Sequence, residues 1–293
     1  MDGTSGTLKP ASIPMADALV VPAPAKVNLF LHVVGRRPDG YHLIESLFAF
    51  IDFADRITLN PRCDGLVERD VPIPGVADED DLTLRAAKAL KKASGARPGV
   101  TISVDKRIPM GAGLGGGSSD AASVLLGLNR LWRVGLSRAD LATIALPLGA
   151  DVPFFVHGQN AFVRGIGEAI TPVSLPRQWL ALAMPPVAVR TADIFAAREL
   201  TRCTPSVKMS VFSESYGVND LEPVALSRYA EVGSALDALK ANAPGARMTG
   251  SGACVIATCD SADAARLAIA ALPEGIAGRV VRTLARHPLA TFA

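Results

Sequence analysis

Five glycines fall within the seven residues from Gly111 to Gly117, in the run "PMGAGLGGGSSDAA" that opens at Pro109. Clustered glycines let a backbone approach a ligand closely, and the N–H groups so exposed favour anions, phosphate above all. Leu114 sits among the glycines, and Ser118 and Ser119 follow with hydroxyls suited to phosphate oxygens or a magnesium ion. Apolar residues at helical spacing come next (Ala121, Val124, Leu125, Leu128, Leu131), so the loop should feed a helix capped by Ser118 or Ser119. The helix dipole then adds positive potential where the glycines leave space. The whole stretch (Pro109, Gly111, Gly113, Leu114, Gly115, Gly116, Gly117, Ser118, Ser119) is therefore a candidate phosphate cradle.

Several unrelated loops share this texture. Gly111, Gly113 and Gly116 satisfy G-x-G-x-x-G, but a dinucleotide fold needs a strand running straight into the loop and an acidic residue about 20 positions on. Here the charged bend "DKRIP" intervenes, and the segment beyond, "LWRVGLSRAD", is no strand. No lysine follows the glycines as a Walker A loop requires, and the V-A-I-K and H-R-D motifs of protein kinases are absent. The bland alternative is a surface loop ahead of a capped helix. Five clustered glycines lose much chain entropy on ordering, which argues against it.

Other residues could join the chemistry. Lys26 and Asn28 lie two apart in a predicted strand, Ala25 to Val34, so both point to one face. Asp151, after the helix-ending Pro147 and Gly149, reads as a turn or cap aspartate or as an acid–base group. Tyr41 and His42 follow the turn signal Pro38-Asp39-Gly40. Gly250, Ser251 and Gly252 in "MTGSGAC" form a second glycine turn entering a strand. Asn219, Asp220 and Glu222 in "NDLEPV" read as helix-capping residues without a catalytic role, and Asp120 as a complement to the helix dipole.

The elements that must position these groups alternate along the chain. "DDLTLRAAKALKKASG" is an amphipathic helix with aspartates at its start, lysines in its last turn and Gly95 closing it. "GVTISVD" is a strand, a helix starts near Ser137, and "ADVPFFVHGQNAFVRGIGE" reads as strands and turns. In "LIESLFAFIDFADRITLNP" only Asp55 to Leu59 stands out as a strand. From about Pro172 the texture shifts to "LALAMPPVAV" (strand), "TADIFAARE" (helix start) and a helix, turn and strand ending near Cys259. The pattern predicts two α+β halves meeting near residues 160 to 172.

Composition narrows the partners. A net charge of +2 and dispersed aromatics give no footprint for nucleic acid or an anionic membrane, which leaves small molecules. Four cysteines and four histidines are scattered without metal-ligand spacing, so no protein metal site is expected and the thiols read as reduced, in the cytoplasm. No run approaches the roughly 20 apolar residues of a membrane span. Residues 1–15 are polar, lack a signal-peptide core and read as a flexible tail.

Taken together, "APAKVNLFLHVVGRRPDGYHLIESLF", "PMGAGLGGGSSDAA" and "MTGSGACVIA" resemble, in order, the three signatures of the GHMP kinases (galactokinase, homoserine, mevalonate and phosphomevalonate kinases). "GADVPFF" and "NDLEPV" match the branch acting on a cytidine-diphosphate-linked methylerythritol in non-mevalonate isoprenoid biosynthesis, and the likeness covers nearly everything after the tail. The resemblance implies a two-domain α+β fold with the active cleft between domains: an ATP-binding domain over 16–165 and a ferredoxin-like C-terminal domain over 166–293. It implies ATP-dependent phosphorylation of that substrate's 2-hydroxyl. Lys26 resembles the lysine touching the catalytic carboxylate and the acceptor hydroxyl, Asn28 a substrate-positioning amide, and Asp151 the base that takes the hydroxyl proton. Tyr41 and His42 would hold the cytosine, with Phe195 and Thr191 closing the other side, and Gly250, Ser251 and Gly252 would lie near the site. The magnesium glutamate of other members has no match, so ATP itself is expected to bring the ion. Two alternatives stay open: a kinase for another alcohol, such as homoserine or mevalonate, and a nucleotide-binding sensor without catalysis.

Overall fold

A computed structural model of the chain describes residues 17–206 and 217–293. The tail expected over residues 1–15 lies outside the described residues. The dominant feature is a long antiparallel hairpin of β1 (Leu19–Arg36) and β2 (His42–Arg62), in register from Leu19 opposite Leu59 to Arg36 opposite His42. Its turn uses Gly40 at φ 94°, and the Arg37 N–H donates to the Tyr41 carbonyl at 2.7 Å. On the other edge of β2 lie β4 (Gly99–Asp105) and β5 (Ala161–Gly165), with β3 (Val67–Arg69) parallel to β4 and β6 (Ala169–Pro172) antiparallel to β5.

β2 is far longer than the strand expected at Asp55 to Leu59. Phe48 and Phe50 enter one core while Ala49, Ile51 and Phe53 enter another. A strand buried on both faces has no polar alternation to reveal it.

Helices α1 (Leu82–Ser94), α2 (Gly116–Leu131), α3 (Arg138–Ala145) and α4 (Val152–His157) pack with the first sheet around one core. The Asp81 carboxylate caps α1, and Gly95, left-handed at φ 68°, ends it by donating to the Lys91 carbonyl. Ser137 and Asp140 form a reciprocal capping box on α3. α4 corrects the expectation of strands and turns here: six residues are too few for helical periodicity, and the buried run Phe154, Phe155, Val156 mimics a strand.

The second sheet is antiparallel, in the order β10 (Ala277–Arg282), β7 (Trp179–Met184), β9 (Val255–Cys259), β8 (Arg247–Met248). Around its core lie α5 (Thr191–Ala196), α6 (Glu222–Arg228), α7 (Ala230–Asn242) and α8 (Ala262–Ala270). β7 divides its side chains by the period of two: Ala181 and Ala183 face the helical core, while Leu180 and Leu182 meet Ala25, Val27, Ala49 and Ile51. The two halves of this α+β fold therefore share apolar contacts between their sheets. Because β6 pairs with β5, the first sheet continues to Pro172, and we place the division between Pro172 and Trp179.

The chain then returns after β10. The Leu284 N–H donates to the Phe50 carbonyl at 2.8 Å, the His287 N–H to Gly158 at 2.9 Å, and Leu289 is buried in the first core.

Candidate active site

The site is built on the free edge of β1. Its register with β2 shifts between Pro24 and Lys26 and again between Asn28 and Phe30, so irregularities flank the two residues that carry polar side chains inward. Such bulges bend a strand and re-aim its side chains. The backbone groups released are taken up by other segments: Lys26 N–H donates to the Leu114 carbonyl at 3.0 Å, and Asn28 N–H to Thr249 Oγ1 at 2.7 Å. One strand thus docks the first glycine loop and the second glycine turn side by side.

These two turns meet backbone to backbone. A Cβ on Gly113 would lie 2.4 Å from the Thr249 carbonyl oxygen, and one on Gly250 would lie 2.6 Å from the Gly113 oxygen. Gly115 is left-handed at φ 70°, and a Cβ there would press on Phe155 at 3.0 Å and the Lys26 stem at 3.2 Å. No other residue type fits both the angle and the space. Gly115, and not a serine, occupies the cap position of α2, which corrects the expected capping. The N-terminus of α2 opens onto the cleft through Gly116, Gly117 and Ser118, with Pro109, Gly111, Gly113 and Leu114 also along its wall.

Ser119 does not join them. It is buried, its N–H donates to Gly115 and its hydroxyl to the Pro24 carbonyl at 2.7 Å, so it fastens α2 to β1 instead of facing a ligand. Ser123 does the same to the Pro22 carbonyl at 3.0 Å.

Lys26 is buried, and its ammonium lies 3.4 Å from Asp151 Oδ2, 2.7 Å from Asn28 Oδ1 and 4.4 Å from the centre of the Phe48 ring. Asp151 stands just ahead of α4 and is the more open partner, 31% exposed, so its carboxylate is available to the cleft. The Asn28 amide, expected to position substrate, is engaged on both ends with protein: Oδ1 accepts from Lys26 and Nδ2 donates to Ser46 Oγ at 2.7 Å. Its visible task is to orient the lysine.

The cleft, about 980 Å³, runs from this pair to a second cluster where Tyr41, His42, Thr191 and Phe195 gather from the hairpin turn and α5. Tyr41 is 61% exposed, and the His42 and Phe195 rings lie 5.0 Å apart. Thr191 Oγ1 is 2.7 Å from Ser251 Oγ, which ties α5 to the second glycine turn, while Gly252 stays behind that turn against Met248. Burial lowers the His42 pKa, and the Arg202 and Arg36 cations lower it further, so the ring is neutral at ordinary pH.

Three groups with structural roles here were not assigned them by the sequence. Asn219 Nδ2 donates to the Met248 and Gly250 carbonyls, both at 2.8 Å, Glu222 accepts from the Met248 N–H, and Asp220 accepts from the Val33 N–H at 2.7 Å. "NDLE" is thus the knot holding the second glycine turn to β1. Lys106, in the charged bend before the loop, is shared by Asp55 and Asp120, at 2.8 Å from the latter. Asp55 also accepts the Arg107 and Ile108 N–H groups, whereas Asp120 Oδ1 is buried without a partner. Burial pushes the Asp120 carboxyl up, to about 7, against the pull of Lys106. The third is Arg202, whose Nε–H donates to His42 Nε2 at 3.0 Å across 160 positions of sequence.

Comparison with known proteins bears on what this cleft does. Residues 81–159 match the family described as "GHMP kinases N terminal domain" and residues 206–277 the one described as "GHMP kinases C terminal". The chain is 56% identical over 271 residues, 92% of its length and 97% of the relative's, to a 4-diphosphocytidyl-2-C-methyl-D-erythritol kinase of Thiobacillus denitrificans. It is 50% identical over 292 residues, 99% of both chains, to the enzyme of that name from Nitrosospira multiformis. Among solved structures, a 4-(cytidine 5'-diphospho)-2C-methyl-D-erythritol kinase superposes with a TM-score of 0.80 at 35% identity, covering 90% of this chain and 99% of that one. A homoserine kinase from Cytophaga hutchinsonii, at 19% identity, covers 94% and 97% with a TM-score of 0.69 and shares the fold.

Proposed function

The chain belongs to the GHMP kinase family, and from that premise we propose how its cleft works as an ATP-dependent kinase of 4-diphosphocytidyl-2-C-methyl-D-erythritol. The reaction moves the γ-phosphoryl group of ATP to the 2-hydroxyl of that substrate, giving the 2-phosphate and ADP in the non-mevalonate route to isoprenoid precursors. The observation that carries this reading is the layout of one cleft: a glycine loop at a helix N-terminus, then the Lys26–Asp151 pair, then a slot of aromatic and imidazole rings at the far end.

Phosphoryl transfer depends on positioning and charge neutralisation, with a base where the acceptor is a poor nucleophile. The triphosphate lies along the α2 N-terminus and the N–H groups of Gly116 and Gly117. Lys26, oriented by Asn28 and Ser46, meets the acceptor oxygen and the charge developing on the transferred group. Asp151 takes the proton from the tertiary hydroxyl. Tyr41 and Phe195 stack the cytosine while His42 meets its edge.

ATP comes with a divalent ion that neutralises charge on the phosphates. Among the described residues no group of three or more His, Cys, Asp or Glu side chains could hold a metal alone, whereas the Ser118 hydroxyl and the Asp151 carboxylate supply oxygens that suit an ion arriving with the nucleotide. No described helix is long and apolar enough to cross a membrane, and the four cysteines are free, as reducing surroundings would leave them; we assign the enzyme to the cytoplasm and to small-molecule substrates.

The test is a transfer assay with ATP, magnesium and the cytidyl methylerythritol, alongside homoserine and mevalonate as acceptors. Acceptor-dependent ADP release with a new phosphomonoester on the cytidyl substrate alone is the expected result. Release with homoserine or mevalonate only, or no release at all, would overturn it.

A further inference from the structure

Arg202 lies in the segment after α5, half-buried, and its guanidinium is fixed on several sides. Its terminal nitrogens donate to the carbonyls of Leu200 at 3.0 Å, Phe195 at 3.2 Å and Ala197. What remains is Nε–H, which points at His42 Nε2 at 3.0 Å. A guanidinium in a protein is always a donor and never an acceptor. His42 Nε2 must therefore be the bare nitrogen of a neutral imidazole, which leaves the proton on Nδ1. Nδ1 makes no hydrogen bond to any described residue, and His42 lines the cleft.

We propose that Arg202 is a positioning residue for substrate selection: it locks the His42 imidazole in the Nδ1–H form and so presents a fixed donor to an acceptor atom on the edge of the cytosine. The inference rests on the placement of the cytosine given above. Free histidine prefers its proton on Nε2, so without Arg202 the ring turns its unprotonated Nδ1 toward the base and meets acceptor with acceptor. Cytosine offers acceptors at O2 and N3, so a permanent donor suits it, whereas the N3–H of uracil would oppose that donor. The charged groups acting on the ring are Arg202 and Arg36, both cations, and Phe195 packs against it, so nothing near His42 favours its protonated form at neutral pH. The same guanidinium holds the Phe195 carbonyl, so the stacking ring and the edge donor are set by one residue.

The test uses the full chain. Long-range ¹H–¹⁵N correlation of histidine nitrogens, with His42 assigned through His42→Asn, should show the Nδ1–H form in the wild type and a shift toward Nε2–H in Arg202→Leu. At about pH 7.5, Arg202→Leu should raise KM for the cytidyl substrate about tenfold, the loss of one hydrogen bond, with KM for ATP and kcat nearly unchanged. Toward about pH 5.5 the imidazole, relieved of the Arg202 cation, takes up a proton more readily than in the wild type; the protonated ring carries N–H on both nitrogens and recovers the donor, so the KM gap should narrow. Arg202→Lys, which keeps a donor, should stay near wild type. A wild-type ring protonated on Nε2, or a KM gap in Arg202→Leu that is the same at both pH values, overturns the role given to Arg202. If His42→Asn leaves the cytidyl KM unchanged, the placement of the cytosine fails instead, and the inference falls with it.

Discussion

The two ends of the cleft are made of different material. The end we assign to phosphate is main chain: two glycine turns pressed backbone to backbone, a helix N-terminus, and buried polar groups that answer to one another across β1, α2 and "NDLE". The base end is side chains from a hairpin turn and a short helix, with Tyr41 largely in solvent. A site whose ligand is held by backbone cannot be altered without altering the fold, whereas one held by exposed side chains can change its preference at little cost in stability.

The comparison can be broken at four points. The largest effect should come from Asp151→Asn, between the two ends: kcat should fall about a thousandfold, as for loss of a general base, while KM for both substrates stays within a few-fold. Near-normal turnover would remove the base from the mechanism. Gly113→Ala asks for a left-handed φ of 76° and sets a Cβ against the Thr249 and Gly252 oxygens. It should cost about 3 kcal/mol or more of stability together with ATP binding, seen in urea unfolding. A stable, ATP-binding variant would show that the two turns are less rigid than their contact implies. At the other end, Tyr41→Ala should raise KM for the cytidyl substrate about tenfold, the worth of one stacked base, with melting temperature and KM for ATP unmoved. Equal rises in both KM values would erase the distinction.

The smallest effect concerns the Lys106 bridge. Two carboxylates share one ammonium, and Asp120, the less well satisfied, has its folded pKa raised from 3.8 to about 7. A raised folded value means the folded state holds the proton more tightly, so this contribution is complete below the unfolded value and is lost as pH rises toward 7. Asp120→Asn, neutral throughout, should match the wild type near pH 4 and become progressively the more stable up to about pH 7, measured by thermal melts across that range. A constant offset would mean that the proton sits elsewhere.

Much of this was legible in the chain, for reasons of range. The caps of α1 and α3 and the turn at Gly40 are local chemistry, readable within five residues. The glycine loop was readable because only close backbone approach explains so many glycines. Lys26 and Asn28 share a face by the period of a strand, and they do meet. What stayed hidden depends on distant partners. The cap of α2 sits at Gly115, and of the two serines expected there Ser119 is spent on the carbonyl of Pro24, 95 residues earlier, while Ser118 faces the cleft. The bulges around Lys26 have no signature, since they exist to fit segments near residues 114 and 249. Arg202 carries no local signal at all; its meaning comes from His42.

The return of the chain after β10 sets an order on how the enzyme comes into being. Leu284, Leu289 and Phe292 complete a core whose other members run no further along the chain than Ile170. A ribosome releases those early strands and helices long before the residues that seal them, so the first half must wait, part-covered, through synthesis of the entire second half. The glycine loop therefore does not mature as an independent module: a segment that emerges after the whole second sheet is the one that closes the first core.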